Sequence, residues 1–356
     1  MDLQFITYNK ASLTFLSYNT RLETIMQILI LGGTSFIGKE LVRAFFEAGH
    51  SVTIFTRGRK KPTDLPPHQK LTGDRNSLTD LMTVGKGKRW DVVIDNIGYQ
   101  AEDLEKVITA FKTARHLIFN STVSVYRYSK QAYPQPLIEN AIDHNAHPAE
   151  ENLENIHWKY ARGKLDAEKV ILEQCQIPWT IIRPPVVYGP DDVTQRGFWY
   201  LMRLLDGGPI LLANGGVNSF RLAYSKDVAQ VFLRAALNPQ AFGQTYYVAQ
   251  REIVTLKDFI NESAQHIGVD PHYVSVPSEI IGELGGPHSS MVNIVVDIQK
   301  AERELGFKPT PFAQMIQETT EWFKAQWKGD REEILKTRPQ ELVLGQKWKN
   351  VMEEFL

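Results

Sequence analysis

The sequence predicts an α/β protein built on a doubly wound parallel sheet, with a smaller C-terminal substrate domain. Three observations point there. "QILIL" (27–31) is an apolar run of strand length that ends directly in glycines. Beyond it, short β-rich runs alternate with stretches of helical periodicity, the pattern of parallel strands joined by crossover helices. The turn between the first strand and the first helix, "GGTSFIG", carries Gly32, Gly33 and Gly38, and a tight strand-to-helix turn needs such small residues.

The elements follow in order. "FIGKELVRAFFEAG" places apolar residues at helical spacing and closes on Gly49, a natural C-cap. "SVTIF" reads as the second strand, and "QKLT", "WDVVID" and "RHLIF" as further strands, each followed by a helical stretch. "KYARGKLDAEKVILEQC" is a helix before the strand "PWTIIRPP". Charge-rich stretches at 57–64 and 139–156 read as loops, and there is no internal repeat. Residues 1–25 are expected to be a loosely ordered extension before a fold that starts at Met26. Residues 26–188 with about 217–250 are expected to form the main domain. Residues from about 189 to 216 with 251–325 are expected to form the smaller one, and 326–356 a C-terminal helical tail.

Composition narrows the function. The 356 residues are 43% apolar and 23% charged, ordinary for a globular protein. A net charge of −1 provides no global field toward nucleic acid or anionic lipid. The single cysteine, Cys175, can form neither an internal disulfide nor a Cys-rich metal site, and fits a reducing, cytoplasmic compartment. No metal is expected, and no apolar run is long enough to span a bilayer.

The glycine turn is the first candidate site. Backbone N–H groups of Gly32, Gly33, Thr34, Ser35, Phe36, Ile37 and Gly38 can approach a pyrophosphate at the positive end of a helix. Ser35 stands where a full pattern has another glycine. The second strand ends in "IFTRGRKK", with Thr56 and Arg57 where an NAD site carries an acid for the ribose hydroxyls. Without the carboxylate, and with a guanidinium present, NADP is favoured over NAD as cofactor. The alternative is a solvated basic loop. Two Tyr–Lys pairs four apart also stand out, Tyr160 with Lys164 and Tyr126 with Lys130.

"GGTSFIG", "LTGDR", "STVSVY", "YARGK", "RPPVVYGP" and "ELGFKPT" occur in the order seen in extended short-chain dehydrogenases/reductases, the epimerase/dehydratase group. The chain resembles that group from about Met26 to about Phe323. "VTIFTRG", "DVVIDNIG" and "GKLDAEKVI" look most like the branch that includes the chloroplast stem-loop-binding proteins, which are associated with RNA binding. The resemblance implies a Rossmann-type fold and a catalytic set of Tyr160, Lys164 and Thr122, with Lys164 also on the nicotinamide ribose. It implies further cofactor contacts at Asp74, Asp95, Asn96, Gly98, Pro185 and Val186. Arg221 and Tyr188 are its substrate candidates, although Arg221 stands one residue short of the nucleotide-sugar spacing to Asp227. The implied function is an NAD(P)-dependent oxidoreductase or epimerase/dehydratase acting on a hydroxyl/carbonyl substrate, a sugar or nucleotide sugar among them. The alternatives are an RNA-binding or RNA-processing protein on the same scaffold and a non-catalytic redox sensor. The expected partner is a small molecule, with a homodimer left open, no membrane, and nucleic acid disfavoured.

Overall fold

A computed structural model of the chain describes residues 25–60, 62, 64–86, 88–130, 136–287 and 293–354. The expected N-terminal extension lies outside the described residues except for Ile25, as does Lys61 of the basic stretch after the second strand.

The elements run β1 (Gln27–Leu31), α1 (Ile37–Glu47), β2 (Ser51–Thr56), β3 (Gln69–Thr72), α2 (Leu78–Gly85), β4 (Val92–Asp95), α3 (Ala101–Ala110), β5 (His116–Asn120), α4 (Ile156–Gln174) and β6 (Trp179–Arg183). With the later strand Gln244–Tyr247 they make a seven-stranded sheet in which every neighbouring pair is parallel. The order is Gln244–Tyr247, β6, β5, β4, β1, β2, β3. The chain steps outward from β1 to β3 and returns to β4 on the other side of β1. That reversal opens a crevice at the carboxyl ends of β1 and β4, where ligands of such sheets bind.

Strand pleat explains how the sheet is covered. Ile28 and Ile30 pack with Val42 and Phe45 of α1 and with Val228 and Phe232 of the helix Ser225–Ala235. Leu29 and Leu31 face the other way, toward Leu81 of α2 and Val107 of α3. Alternate residues of one strand thus feed two cores, which is why these strands read as continuous apolar runs.

A second core lies in the smaller lobe. The helices Arg196–Asp206, Leu256–Ile267 and Phe312–Gln326 meet around Phe198, Tyr200, Phe259 and Phe323. Ala301, Leu305 and Phe307 pack into the sheet domain's core instead, so this part of the 251–325 segment sits with the sheet. The C-terminal segment is helical at Arg331–Ile334 and Arg338–Glu354. It is docked by a buried fork: Arg203 donates to Glu341 at 2.6 and 3.0 Å, with Glu341 only 1% exposed. Among the described residues, no helix is long and apolar enough to cross a membrane.

Candidate active site

The glycine turn is shaped by close approach. Gly32 and Gly33 take φ of 110° and 103°, open to glycine but rarely to other residues. A Cβ on Gly33 would lie 2.7 Å from Ile54 Cγ2, and one on Gly38 would lie 2.7 Å from the Gly33 nitrogen. These residues therefore let α1 start directly against β1. Phe36 is held at φ 47°, a conformation costing a non-glycine residue about 1–3 kcal/mol and found where ligands are clamped. Among the described residues, no side chain caps the start of α1. The Gly38 and Lys39 N–H groups bond to the Ser35 and Phe36 carbonyl oxygens at 3.0 and 2.9 Å, and Ser35, Phe36 and Ile37 line the wall of the adjoining cleft at the positive end of the helix. Thr34 lies in the turn but not on that wall. The turn fits a pyrophosphate.

The cleft encloses about 570 Å³. The glycine-turn residues meet Asn96, Thr122, Tyr160, Lys164 and Pro184–Val187 there, so Asn96, Pro185 and Val186 stand beside the Tyr–Lys pair. Asn120 holds Asn96 in place, its Nδ2 donating to Asn96 Oδ1 at 2.8 Å.

Tyr160 and Thr122 line the same cleft close enough to interact, and the Thr122 hydroxyl accepts the Ser124 N–H at 3.2 Å. Burial raises the phenol's pKa above its ordinary value, and the Thr122 contact only partly opposes this. Tyr160 is nonetheless 37% exposed, so its ring can be reached from solvent. One turn along α4, Lys164 is 2% exposed and donates to the Asn120 carbonyl oxygen at 2.6 Å. Burial depresses its pKa to about 8, with Asp95 and Glu168 pulling the other way. Gly163 permits this placement, because a Cβ there would lie 2.4 Å from the Tyr99 carbonyl oxygen.

The second Tyr–Lys pair is arranged differently. Tyr126 accepts from Arg127 at 2.7 Å, and Lys130 pairs with Asp143 at 3.1 Å. Neither lines the cleft.

Behind the pair lies a buried network that sequence reading missed. Arg183 forks onto Glu168 at 2.8 and 2.5 Å, and Glu168 also accepts from Ser121 at 2.5 Å and faces His144 at 2.9 Å. It joins α4, β6 and the end of β5, the elements that carry Lys164 and Thr122. The only sequence signal was an acid one helical turn after Lys164.

Several expected contacts lie elsewhere. Asp95 is fully buried, its carboxylate held by Arg75 at 2.6 Å and by the Ile97 N–H at 3.1 Å, so it serves the fold rather than the cleft wall. Gly98 packs on that carboxylate, 2.7 Å from where its Cβ would be. Asp74 is exposed after β3 and accepts the Asn76 N–H at 3.0 Å, an ordinary turn contact. Tyr188, expected at the substrate, is 2% exposed and packs edge-on against Phe259 in the smaller lobe's core. Arg221, the other substrate candidate, donates to the carbonyls of Val296 and Arg251 at 2.5 and 3.0 Å and does not line the cleft. Its guanidinium ties segments of the chain together. Arg57 is exposed at the end of β2. Lys70 of β3 reaches the same turn, its Nζ 4.0 Å from the Cβ position of Gly58. The cleft also holds Arg196, which no motif marked.

Comparison with known proteins agrees with this architecture. Residues 28–249 match the NAD dependent epimerase/dehydratase family. The chain is 29% identical over 299 residues to the chloroplast stem-loop binding protein of 41 kDa b of Arabidopsis thaliana, covering 80% of this chain and 75% of that protein. It is 24% identical over 274 residues to the 2'-dehydrokanamycin reductase of Streptomyces kanamyceticus, covering 73% and 72%. The UDP-glucose 4-epimerase of Thermus thermophilus, solved in complex with NAD, superimposes with a TM-score of 0.66 at 18% identity, over 85% of this chain and 100% of that one. That likeness shows the fold. The family match runs from β1 through the last strand of the sheet, and the chain belongs to the NAD dependent epimerase/dehydratase family.

Proposed function

We propose that the protein is an NAD(P)-dependent oxidoreductase or epimerase acting on a small hydroxyl/carbonyl compound, with Tyr160 as its general acid and base. The observation that carries this is the meeting of the Tyr160 hydroxyl, the Thr122 side chain and the buried Lys164 in one cleft with the glycine turn.

The residues divide the work. The turn from Gly32 to Gly38 would hold the pyrophosphate, Lys164 would meet the nicotinamide ribose, and Arg57 with Lys70 would flank a 2′-phosphate. When bound, the nicotinamide supplies or accepts the hydride. Tyr160, whose raised pKa keeps it protonated at neutral pH, donates its proton to a carbonyl oxygen. Thr122 orients the same oxygen. Pro184, Pro185 and Val186 wall the cleft and limit water. In the oxidising direction the phenol must first ionise, and the positive charge of Arg196 favours that. With no acid after β2, NADP is the preferred cofactor, and the lone thiol Cys175 suits a cytoplasmic, reducing setting.

The test is nicotinamide content of the purified protein, followed by NADPH oxidation with a panel of carbonyl compounds. Bound or titratable cofactor and turnover of a panel member are expected. A protein that takes up neither NADPH nor NADH contradicts the reading.

A second reading, RNA binding, has its own support. The Arabidopsis thaliana relative is named for stem-loop binding, and Arg57, Arg59 and Lys60 are exposed together after β2.

A further inference from the structure

Arg196 is a cation on the cleft wall, and its charge is felt by the buried Asp192 carboxylate. Its Nε donates to Thr194 Oγ1 at 2.9 Å, and among the described residues its guanidinium forms no ion pair. Thr194 is itself fixed, because buried Asp192 accepts both its N–H at 2.8 Å and its hydroxyl at 2.6 Å. Asp192 thereby anchors the loop that aims Arg196, and it does not line the cleft. The charged residues on the cleft wall are Lys164 and Arg196, with no carboxylate among the described residues. Lys164 is tied to the Asn120 carbonyl and assigned to the cofactor's ribose, so Arg196 is the charge left for a substrate.

We propose that Arg196 selects a substrate carrying a carboxylate or phosphate close to its reacting carbonyl or hydroxyl carbon. This rests on the catalytic reading of the cleft and names the substrate class for it. A planar guanidinium whose terminal nitrogens bond to none of the described residues suits either anion through paired hydrogen bonds. The same charge lowers the Tyr160 pKa, which places Arg196 within electrostatic reach of the proton donor. Arg221 does not line the cleft, and its two terminal nitrogens are held by backbone carbonyls. The site therefore favours a small oxo or hydroxy acid, or a sugar phosphate, over a nucleotide sugar gripped at a distant diphosphate.

The experiment uses the full chain loaded with NADPH. Reduction is compared within two pairs, dihydroxyacetone phosphate against dihydroxyacetone and glyoxylate against glycolaldehyde. At equilibrium, inorganic phosphate and oxalate are titrated against NADPH fluorescence. The wild type should favour the anionic member of at least one pair by about tenfold to a hundredfold in kcat/KM, as a charge-assisted contact provides. Which pair responds tells phosphate from carboxylate. Arg196→Gln should collapse that ratio toward unity and abolish the anion titration, with NADPH affinity retained and Arg196→Lys recovering part of the ratio. An equal ratio in wild type and Arg196→Gln, or loss of NADPH affinity in Arg196→Gln, overturns the proposal. If no compound is reduced, the catalytic reading fails on its own, and the titration still decides the role of Arg196. A titration abolished by Arg196→Gln supports anion binding there, and one it leaves unchanged rejects it.

Discussion

Lys164 Nζ donates to the Asn120 carbonyl oxygen at 2.6 Å, which locks α4 to the end of β5 and leaves two of the ammonium's protons for a ligand. Burial holds its pKa near 8, so the charge is present below that value and lost above it. If the ammonium grips the cofactor, NADPH affinity should be level on the acid side of pH 8 and weaken on the alkaline side. Lys164→Met should bind more weakly and lose the alkaline fall. Fluorescence titration across that range checks this, and affinity that strengthens with rising pH would count against it.

Glu168 tests the support behind the site. Burial pushes its carboxyl up, but the charge and hydrogen bonds of Arg183, with those of His144, outweigh this and hold it at about 2. The folded value lies below the ordinary carboxylate value. The stabilisation is therefore complete above that ordinary value and is lost as pH falls toward about 2. Glu168→Gln should strand a buried guanidinium and cost about 3–5 kcal/mol. Urea unfolding at neutral pH measures it, and a variant as stable as its parent rejects the network's importance.

The sheet was legible because its strands are continuous apolar runs interleaved with helices of 3.6-residue periodicity, whereas the reversal after β3 shows only in the strand order. Tyr160 and Lys164 could be told from Tyr126 and Lys130 only by their position in an ordered set of motifs. Side-chain direction was not legible. Asp95 at a strand end reads equally as a ligand or a fold contact, and Arg75, which decides it, comes from a distant loop. Tyr188 and Arg221 were misplaced for the same reason, since Phe259, Arg251 and Val296 lie 30 or more positions away. Arg196 left no signal, because it opens the helix Arg196–Asp206 directly after a turn whose shape depends on buried Asp192.

Arg57 and Lys70 should set cofactor choice. NADPH is expected to bind about tenfold tighter than NADH, or ~1.4 kcal/mol for one charge-assisted phosphate contact. Arg57→Ala should erase most of that difference without moving the melting temperature, because Arg57 is exposed. Parallel titrations with both cofactors decide it, and NADH binding as tightly as NADPH rules it out.

For RNA, the near-neutral chain gives a clear expectation. Filter binding with a stem-loop RNA at low and moderate salt should show no micromolar complex. Tight binding that collapses with salt, and weakens when Arg57, Arg59 and Lys60 are changed to Gln, would instead assign the exposed basic turn to phosphate contacts.

The central claim is that the Tyr160 hydroxyl carries the proton, and single-turnover hydride transfer with Tyr160→Phe tests it most directly. The substitution removes one oxygen, so folding and NADPH affinity should stay close to wild type while the rate falls roughly 10²–10⁴-fold, the range for losing a general acid–base. Tyr126→Phe should change the rate far less. A Tyr160→Phe protein that keeps the full rate, or a larger loss in Tyr126→Phe, would contradict the account.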